Sequence, residues 1–358
     1  MLVLKLLTAW LAVTCLVPGV ALAEEASPRP GGAPSRELVF LTWSDYIDPD
    51  LLAEFERACG CGVKQVYFET DTRRDEILAE RNGTGFDLVL ASGVALKSYA
   101  RLGWLEPLAI EKIRNLRHVD ARWRSAMPQA EDYGVPYFWG TLGVAFRQDL
   151  VDGDILSWMD IFRPASDVSG KLVMLDDGRD LVTMALKALG HSLNTQDRSE
   201  LREAERLLIE QRPHVKSYAY VSLSEESGLV SGEVVAATVY NGDALMLQEH
   251  EPNIRFLVPR EGTNLWVDYL LVPRSSRNKD LAWQLIDFLN EPANAARNAQ
   301  FVHYATPNQA ARDLMPSDYL EDPVIFPGEE ILAKSEFYTR LTPRVMKLRN
   351  SIHARVTQ

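Results

Sequence analysis

Strand and helix signals alternate along most of this chain, and the alternation predicts an α/β fold in which a parallel sheet is covered by helices. Residues 133–146, rich in glycine, aromatic and β-branched side chains, interrupt the pattern and read as extended chain crossing into a second unit. The alternation then resumes. No fixed-period repeat, coiled coil or low-complexity tract follows Ser35.

The elements follow in order. The apolar run 38–41 reads as a buried strand, and Ser44, Asp45 and the Asp48-Pro49 pair lead through a loop into a helix over 49–59. Strand 63–68, helix 72–81, strand 86–91 and a helix from 94 to about 101 complete the first unit. The second opens with strand 172–175, helices 179–189 and 198–211, strand 214–218 and helix 224–231. Strand 234–240, helix 243–250 and strands 254–258 and 265–272 follow, and then two amphipathic helices over 279–289 and 292–301.

Residues 1–23 carry one early cation, Lys5, an apolar stretch, and the small-x-small ending Ala21-Leu22-Ala23 that precedes export-signal cleavage. A soluble exported, periplasmic protein cleaved near Ala23 is expected, with a flexible segment rich in Pro, Gly, Ala and Ser over 24–36. Removing 23 residues from 358 leaves 335, enough for two domains, and losing Lys5 takes the formal charge from −12 to −13. That balance disfavours nucleic acid and anionic membrane surfaces, and mildly favours cationic ligands. Cys59 and Cys61 flank a single glycine. The pair is either reduced or closed into a tight disulfide that an oxidising compartment permits.

Chemistry gathers where strands end. Trp43-Ser44-Asp45-Tyr46 places two flat rings beside a carboxylate just after a strand, in the position where open α/β sheets bind ligands. Such a group suits an organic ammonium ion, through cation–π attraction and a charge-assisted hydrogen bond. A core tryptophan with an aspartate helix cap is the plainer alternative. Asp176-Asp177-Gly178-Arg179-Asp180 again hands acids from a strand to a helix, beyond what one cap requires. Val239-Tyr240-Asn241-Gly242-Asp243 reads as an aromatic strand end followed by hairpin or turn chemistry. In Leu265-Trp266-Val267-Asp268-Tyr269 the period of two puts Trp266 and Asp268 on one face, and an aspartate on so apolar a strand is costly to bury without a partner. Tyr304 stands at a helix-to-loop exit before Thr306-Pro307-Asn308.

Metal and catalytic signatures are lacking. The six histidines are scattered without ligand spacing, and no G-x-S-x-G, H-E-x-x-H or G-x-x-x-x-G-K-[ST] sequence occurs. No cofactor and no metal are expected.

Together these motifs resemble the spermidine/putrescine-binding periplasmic proteins of ABC importers. Trp43–Tyr46 is similar to the family's W-[ST]-[DE]-Y, and Phe86-Asp87-Leu88-Val89 with Ser92 to its Y-D-[LV]-V-x-P-S. Val135-Pro136-Tyr137-Phe138-Trp139-Gly140-Thr141 resembles I-P-Y-x-W-G-T, and the 176–180 segment resembles D-D-x-R-E. Pro259-Arg260-Glu261-Gly262 with Trp266 and Asp268 matches P-x-E-G…[WF]-x-D, and Tyr304–Asn308 with Ala310-Ala311 matches Y-x-T-P-N-x-A-A. The chain departs from the pattern at Val94, where an aromatic is common, at Tyr240 for Trp, at Asp180 for Glu and at Ala91 for Pro.

The resemblance implies a type II periplasmic-binding fold, with two α/β lobes of mixed sheets joined by a two-crossover hinge. Lobe 1 would hold 37–140 and 267–312, and lobe 2 would hold 141–266 and 313–358. It further implies an aromatic box of Trp43, Tyr46, Tyr240, Trp266 and Tyr304. Ser44 and Ser92 would border it, Asp45 would take one terminal ammonium, and Asp177, Asp180 and Asp268 the other charged nitrogens. The function implied is capture of a polyamine by a monomer and its delivery to an inner-membrane ABC permease. One alternative is sensing, with a polyamine such as norspermidine or spermidine reported to a membrane-bound signalling receptor. An amine-acting enzyme is a further alternative, and it would need a nucleophile, metal or cofactor site that the sequence does not offer.

Overall fold

The computed structural model describes residues 36–358. The leader expected over 1–23, its cleavage point, and all but Arg36 of the segment expected over 24–36 lie outside the described residues. Ten strands are present there: β1 (Glu37–Thr42), β2 (Gly62–Tyr67), β3 (Leu88–Ser92), β4 (Gly134–Arg147), β5 (Leu172–Met174), β6 (Val215–Tyr218), β7 (Ala236–Tyr240), β8 (Ile254–Leu257), β9 (Asn264–Leu271) and β10 (Glu336–Phe337). They form one sheet in the order β2-β1-β3-β9-β4-β7-β5-β6, with β10 on β9 and β8 on β4.

The sheet is mixed, not parallel. β1 pairs in parallel with β2 and β3, and β5 with β6 and β7. β9, however, runs antiparallel between β3 and β4, and β4 is antiparallel to β7 and β8. Alternation of strand and helix carries no direction once the chain returns from the far half of the sheet, which is why the parallel expectation misses β9. β4 explains the continuity. Its residues 134–141 pair with β9 and its residues 142–147 with β7 and β8, so one strand serves both halves.

Helix Pro49–Cys59 matches its expected bounds for legible reasons. Asp48 accepts from the Asp50 and Leu51 amides, Pro49 opens the first turn, and Gly60 closes the helix at φ 61°. The cap is worth about 1 kcal/mol. Burying Leu51, Leu52 and Phe55 contributes about 1.5–3 kcal/mol each, so packing on the sheet dominates. Cys59 and Cys61 are disulfide-bonded across Gly60. Helix Ser224–Ser231 forms only over Gly228–Ser231, and helix Asn241–His250 starts directly at the end of β7, with no hairpin between them. The basic C-terminal stretch is helix Pro343–Thr357, whose Val345, Ile352 and Val356 are buried while Arg355 pairs with Glu205.

Apolar clusters cover both faces of each half. On one face of the β9 half, Leu265, Val267, Tyr269 and Leu271 pack with Trp139. On the other, Leu270 and Val272 pack with Tyr46, Phe138 and Tyr304, and Trp266 lies against that cluster. Period-two alternation therefore delivers Trp266 and Asp268 to the Tyr46 and Tyr304 side.

Several of the motif residues tie the scaffold together. Asp87 accepts from Val39 N and Ser276 Oγ, Glu261 accepts from Ser157 Oγ and Trp158 N, and Asn308 links Ala311 N to Asn290 O.

Candidate functional site: three carboxylates in a tyrosine cage

Trp266 is the centre. Its ring meets Tyr304 edge-on at 4.9 Å between centroids and Tyr240 at 6.2 Å. Gly140 on β4 lets the indole lie flat on the backbone, because a Cβ there would stand 2.5 Å from Trp266 Cζ2. Gly242 admits Tyr304 in the same way. Tyr304 packs 5.9 Å from Tyr46, whose ring also contacts Phe138 and Tyr137.

Around this aromatic row stand three buried aspartates, Asp180 (4% exposed), Asp243 (7%) and Asp268 (9%). Each is held by tyrosine hydroxyls. Tyr46 donates to Asp268 at 3.1 Å, Tyr304 (3.1 Å) and Tyr220 donate to Asp243, and Tyr240 (2.8 Å) and Tyr338 donate to Asp180. Local structure places each acid. Asp268 lies mid-strand opposite both Ser92 and Phe138. Asp180 and Asp243 lie in the first turns of helices Gly178–Ala188 and Asn241–His250, where the helix dipole favours negative charge.

Burial pushes Asp268 up to about 7, with the Asp71 charge adding, while Arg74 and the Tyr46 hydrogen bond pull it down. Burial likewise raises Asp180 to about 6, reinforced by Asp177 and opposed by its tyrosines and Arg179. Asp243 is raised to about 6 by burial, against the hydrogen bonds of Tyr220 and Tyr304. A carboxylate has about four acceptor positions, so one or two phenols leave room for an ammonium. The arrangement is an acidic, ring-walled cluster whose chemistry suits a cation with an apolar body.

The sequence-selected residues separate into two groups. Tyr46, Asp180, Tyr240, Trp266, Asp268 and Tyr304 come together. Trp43 is half-buried on Phe68 at 4.3 Å, beside the set. Ser92 donates to Asp71 rather than to an acid of the cage. Ser44 and Asp45 are exposed, with Asp45 at φ 53° in the turn after β1. Asp177 is exposed and caps its helix, accepting from the Arg179 and Asp180 amides.

Sequence reasoning did not select Asp71, Tyr220, Asp243 or Tyr338 as site residues. Asp243 had a signal, being one helical turn after Tyr240. Tyr220 and Tyr338 had none, since only the tertiary fold brings them to the acids. Two surface cavities lie away from the cage: one of about 310 Å³ on the Trp139 and Phe326 side of the sheet, the other of about 470 Å³ beside Lys112 and Trp283. Among the described residues, no group of three or more His, Cys, Asp or Glu gathers at metal-binding distance, and no helix is long and apolar enough to cross a membrane.

Residues 50–327 match the family model described as bacterial extracellular solute-binding protein. The chain is 30% identical over 302 residues to the spermidine/putrescine-binding periplasmic protein of Salmonella typhimurium, covering 84% of this chain and 86% of the relative. It is also 30% identical over 327 residues to the norspermidine sensor of Vibrio cholerae, covering 91% and 90%. Among solved structures it is similar to the spermidine/putrescine ABC transporter substrate-binding protein PotD of Streptococcus pneumoniae. There the TM-score is 0.81 at 27% identity, over 90% of this chain and 98% of that one.

Proposed function

The chain belongs to the bacterial extracellular solute-binding proteins, and we propose that within this family it captures a polyamine in the periplasm and delivers it to an ABC importer. One observation carries the reading: three buried aspartates, each held by tyrosine hydroxyls, surround a single tryptophan. A polyamine is a thin methylene chain with cations at intervals. The Trp266, Tyr240 and Tyr304 rings would lie along the methylenes, and Asp180, Asp243 and Asp268 would take ammonium groups. Trp43, Ser44, Asp45, Ser92 and Asp177 would line the approach, and Tyr46 would hold Asp268 within the cage. Each desolvated ammonium needs a carboxylate, because a buried unpaired charge costs far more than the contact returns. The tyrosine hydroxyls satisfy the acids before the ligand arrives and share them afterwards. Amino acids would be rejected, since their carboxylate would enter this acidic cage.

The binding unit would be a monomer of two lobes, 37–140 with 267–312 and 141–266 with 313–358, hinged near the middle of β4. The sharing of β4 between both halves of the sheet supports that division. Closure would follow only to the extent that the ligand binds the closed form better. The mature chain would begin near Glu24 in the periplasm, and its partner would be an inner-membrane permease.

A second reading has support from the V. cholerae relative, which is a norspermidine sensor. Here the same site would report a polyamine to a membrane-bound receptor. Thermal melting of the purified protein tests the shared ligand class. Polyamines should raise the melting temperature at millimolar concentration while amino acids leave it unchanged, and equal or absent shifts would sink the reading. Co-purification from membranes with a permease, or with a signalling receptor, then separates the two uses.

A further inference from the structure

The cavity on the Trp139 side of the sheet has no part in the polyamine reading. Alternation along β4 sends Phe138 to the cage and Trp139 to the opposite face, where it stacks on Trp123 at 4.2 Å between centroids. Phe326 meets Trp139 edge-on at 6.0 Å. These three rings help to wall a space of about 310 Å³, near the lower bound of about 300 Å³ for small-molecule sites.

Four charged side chains line the same space: Asp120, Arg122, Arg312 and Glu329. They differ in how far they are engaged. Asp120 accepts from Arg122 N at 2.8 Å and from Gln309 Nε2 at 3.0 Å, and is satisfied within the fold. Among the described residues, neither guanidinium makes a hydrogen bond or an ion pair. Each lies over a ring instead, Arg122 at 5.1 Å from the centroid of Trp123 and Arg312 at 4.8 Å from that of Phe326. A guanidinium resting on an aromatic face keeps its in-plane N–H donors for a carboxylate. Glu329, in the first turn of helix Glu329–Lys334, also lacks a hydrogen-bond or ion-pair partner among the described residues. Two uncommitted positive charges and one negative leave 2 − 1 = +1 at the cavity.

We propose that this cavity is a second binding site, for an organic monocarboxylate with a ring-sized apolar body. The aromatic walls would cover the body, and the guanidinium edges would take the carboxylate through charge-assisted hydrogen bonds. One negative charge on the ligand matches the one positive charge left uncommitted. Amines are disfavoured by both guanidiniums, and a multiply charged anion would set its extra charge against Glu329. The two sites stand back to back on β4. Trp139 N donates to Ala305 O at 3.0 Å, directly after Tyr304 of the cage, while Gly140 carries Trp266. They take ligands of opposite charge through separate side chains, so each can be tested without the other.

The experiment measures dissociation constants by calorimetry for benzoate, with benzamide and inorganic phosphate as controls. The proteins are the mature wild type, the double variant Arg122→Gln with Arg312→Gln, and Glu329→Gln, each with native-like circular dichroism and melting. Wild type should bind benzoate one-to-one and at least tenfold more tightly than either control. The double variant should lose at least tenfold in benzoate affinity, while its weaker benzamide binding stays within twofold. Glu329→Gln should tighten benzoate at least twofold. Benzoate binding no better than that of benzamide, or unchanged in the double variant, would overturn the proposal. Phosphate binding as tightly as benzoate would overturn the apolar body, and weaker benzoate binding in Glu329→Gln would overturn the charge match.

Discussion

Tyr46 donates its phenol hydroxyl to Asp268 across 222 positions of sequence, at 3.1 Å, inside a cluster where both side chains are buried. The bond joins the loop after the first strand to the middle of β9. It also marks the acid most displaced from ordinary behaviour, since burial pushes Asp268 up to about 7. An aspartate so placed weakens the ligand-free protein.

Asp268→Asn should cut affinity for every amine by about 100-fold or more, because removing one partner of a desolvated charge pair costs about 2–5 kcal/mol. Its melting temperature should equal or exceed that of wild type, since a neutral amide is cheaper to bury than a carboxylate. Tyr46→Phe should lose much less affinity, because the ammonium itself replaces the missing donor. Calorimetry and thermal melts on both variants check the pair. Near-normal binding in Asp268→Asn would remove this residue from the site.

Trp266→Ala should weaken all polyamines together, by about 10- to 100-fold. A desolvated cation–π contact is worth about 2 kcal/mol, and the methylene contacts are lost with it. A change in preference without an overall loss would show that the indole sets register instead of supplying general affinity.

Gly140→Ala tests the floor of the cage. The added Cβ would stand 2.5 Å from Trp266 Cζ2 and 2.3 Å from Asn241 Oδ1, so both must move. Overpacking of this kind costs about 1–3 kcal/mol, and both the melting temperature and amine affinity should fall. Unchanged affinity would mean that the indole position does not matter to the ligand.

Affinity should rise with pH. Asp180 and Asp243 sit at about 6 and Asp268 at about 7, all above the ordinary value of 3.8. Ammonium groups bind the ionised forms, so binding releases protons below these values. Between the ordinary and the raised values the folded state holds more protons than the unfolded chain. The contribution of these groups to ligand-free stability therefore falls as pH rises from about 4 through about 7. The gain in melting temperature from a saturating diamine should accordingly grow from pH 5 to about pH 8. A gain that stays flat across this range would contradict the raised values.

Much of the site was legible because it is local. Period-two alternation set Trp266 and Asp268 on one face, and the apolar run before Trp43 placed Tyr46 at a strand end. What escaped was tertiary. Tyr338 reaches Asp180 from 158 positions away, and the charge network of Arg74 and Asp71 lies on a helix from which the sequence analysis selected no site residue. Asp243 was hidden by its own neighbours, since Asn241-Gly242 reads as a turn while the chain runs from strand straight into helix. Asp177 shows the converse: an acid in a suggestive cluster whose hydrogen bonds go to its own helix. The antiparallel insertion of β9, which creates the site, left no mark on the strand–helix alternation.

Calorimetric titration of refolded, ligand-stripped mature protein with putrescine, cadaverine, spermidine, norspermidine and spermine, with an amino acid as control, addresses the polyamine assignment most directly. One-to-one binding of at least one amine at micromolar affinity or tighter, with no heat from the amino acid, is the expected result. The absence of binding by every amine would contradict it.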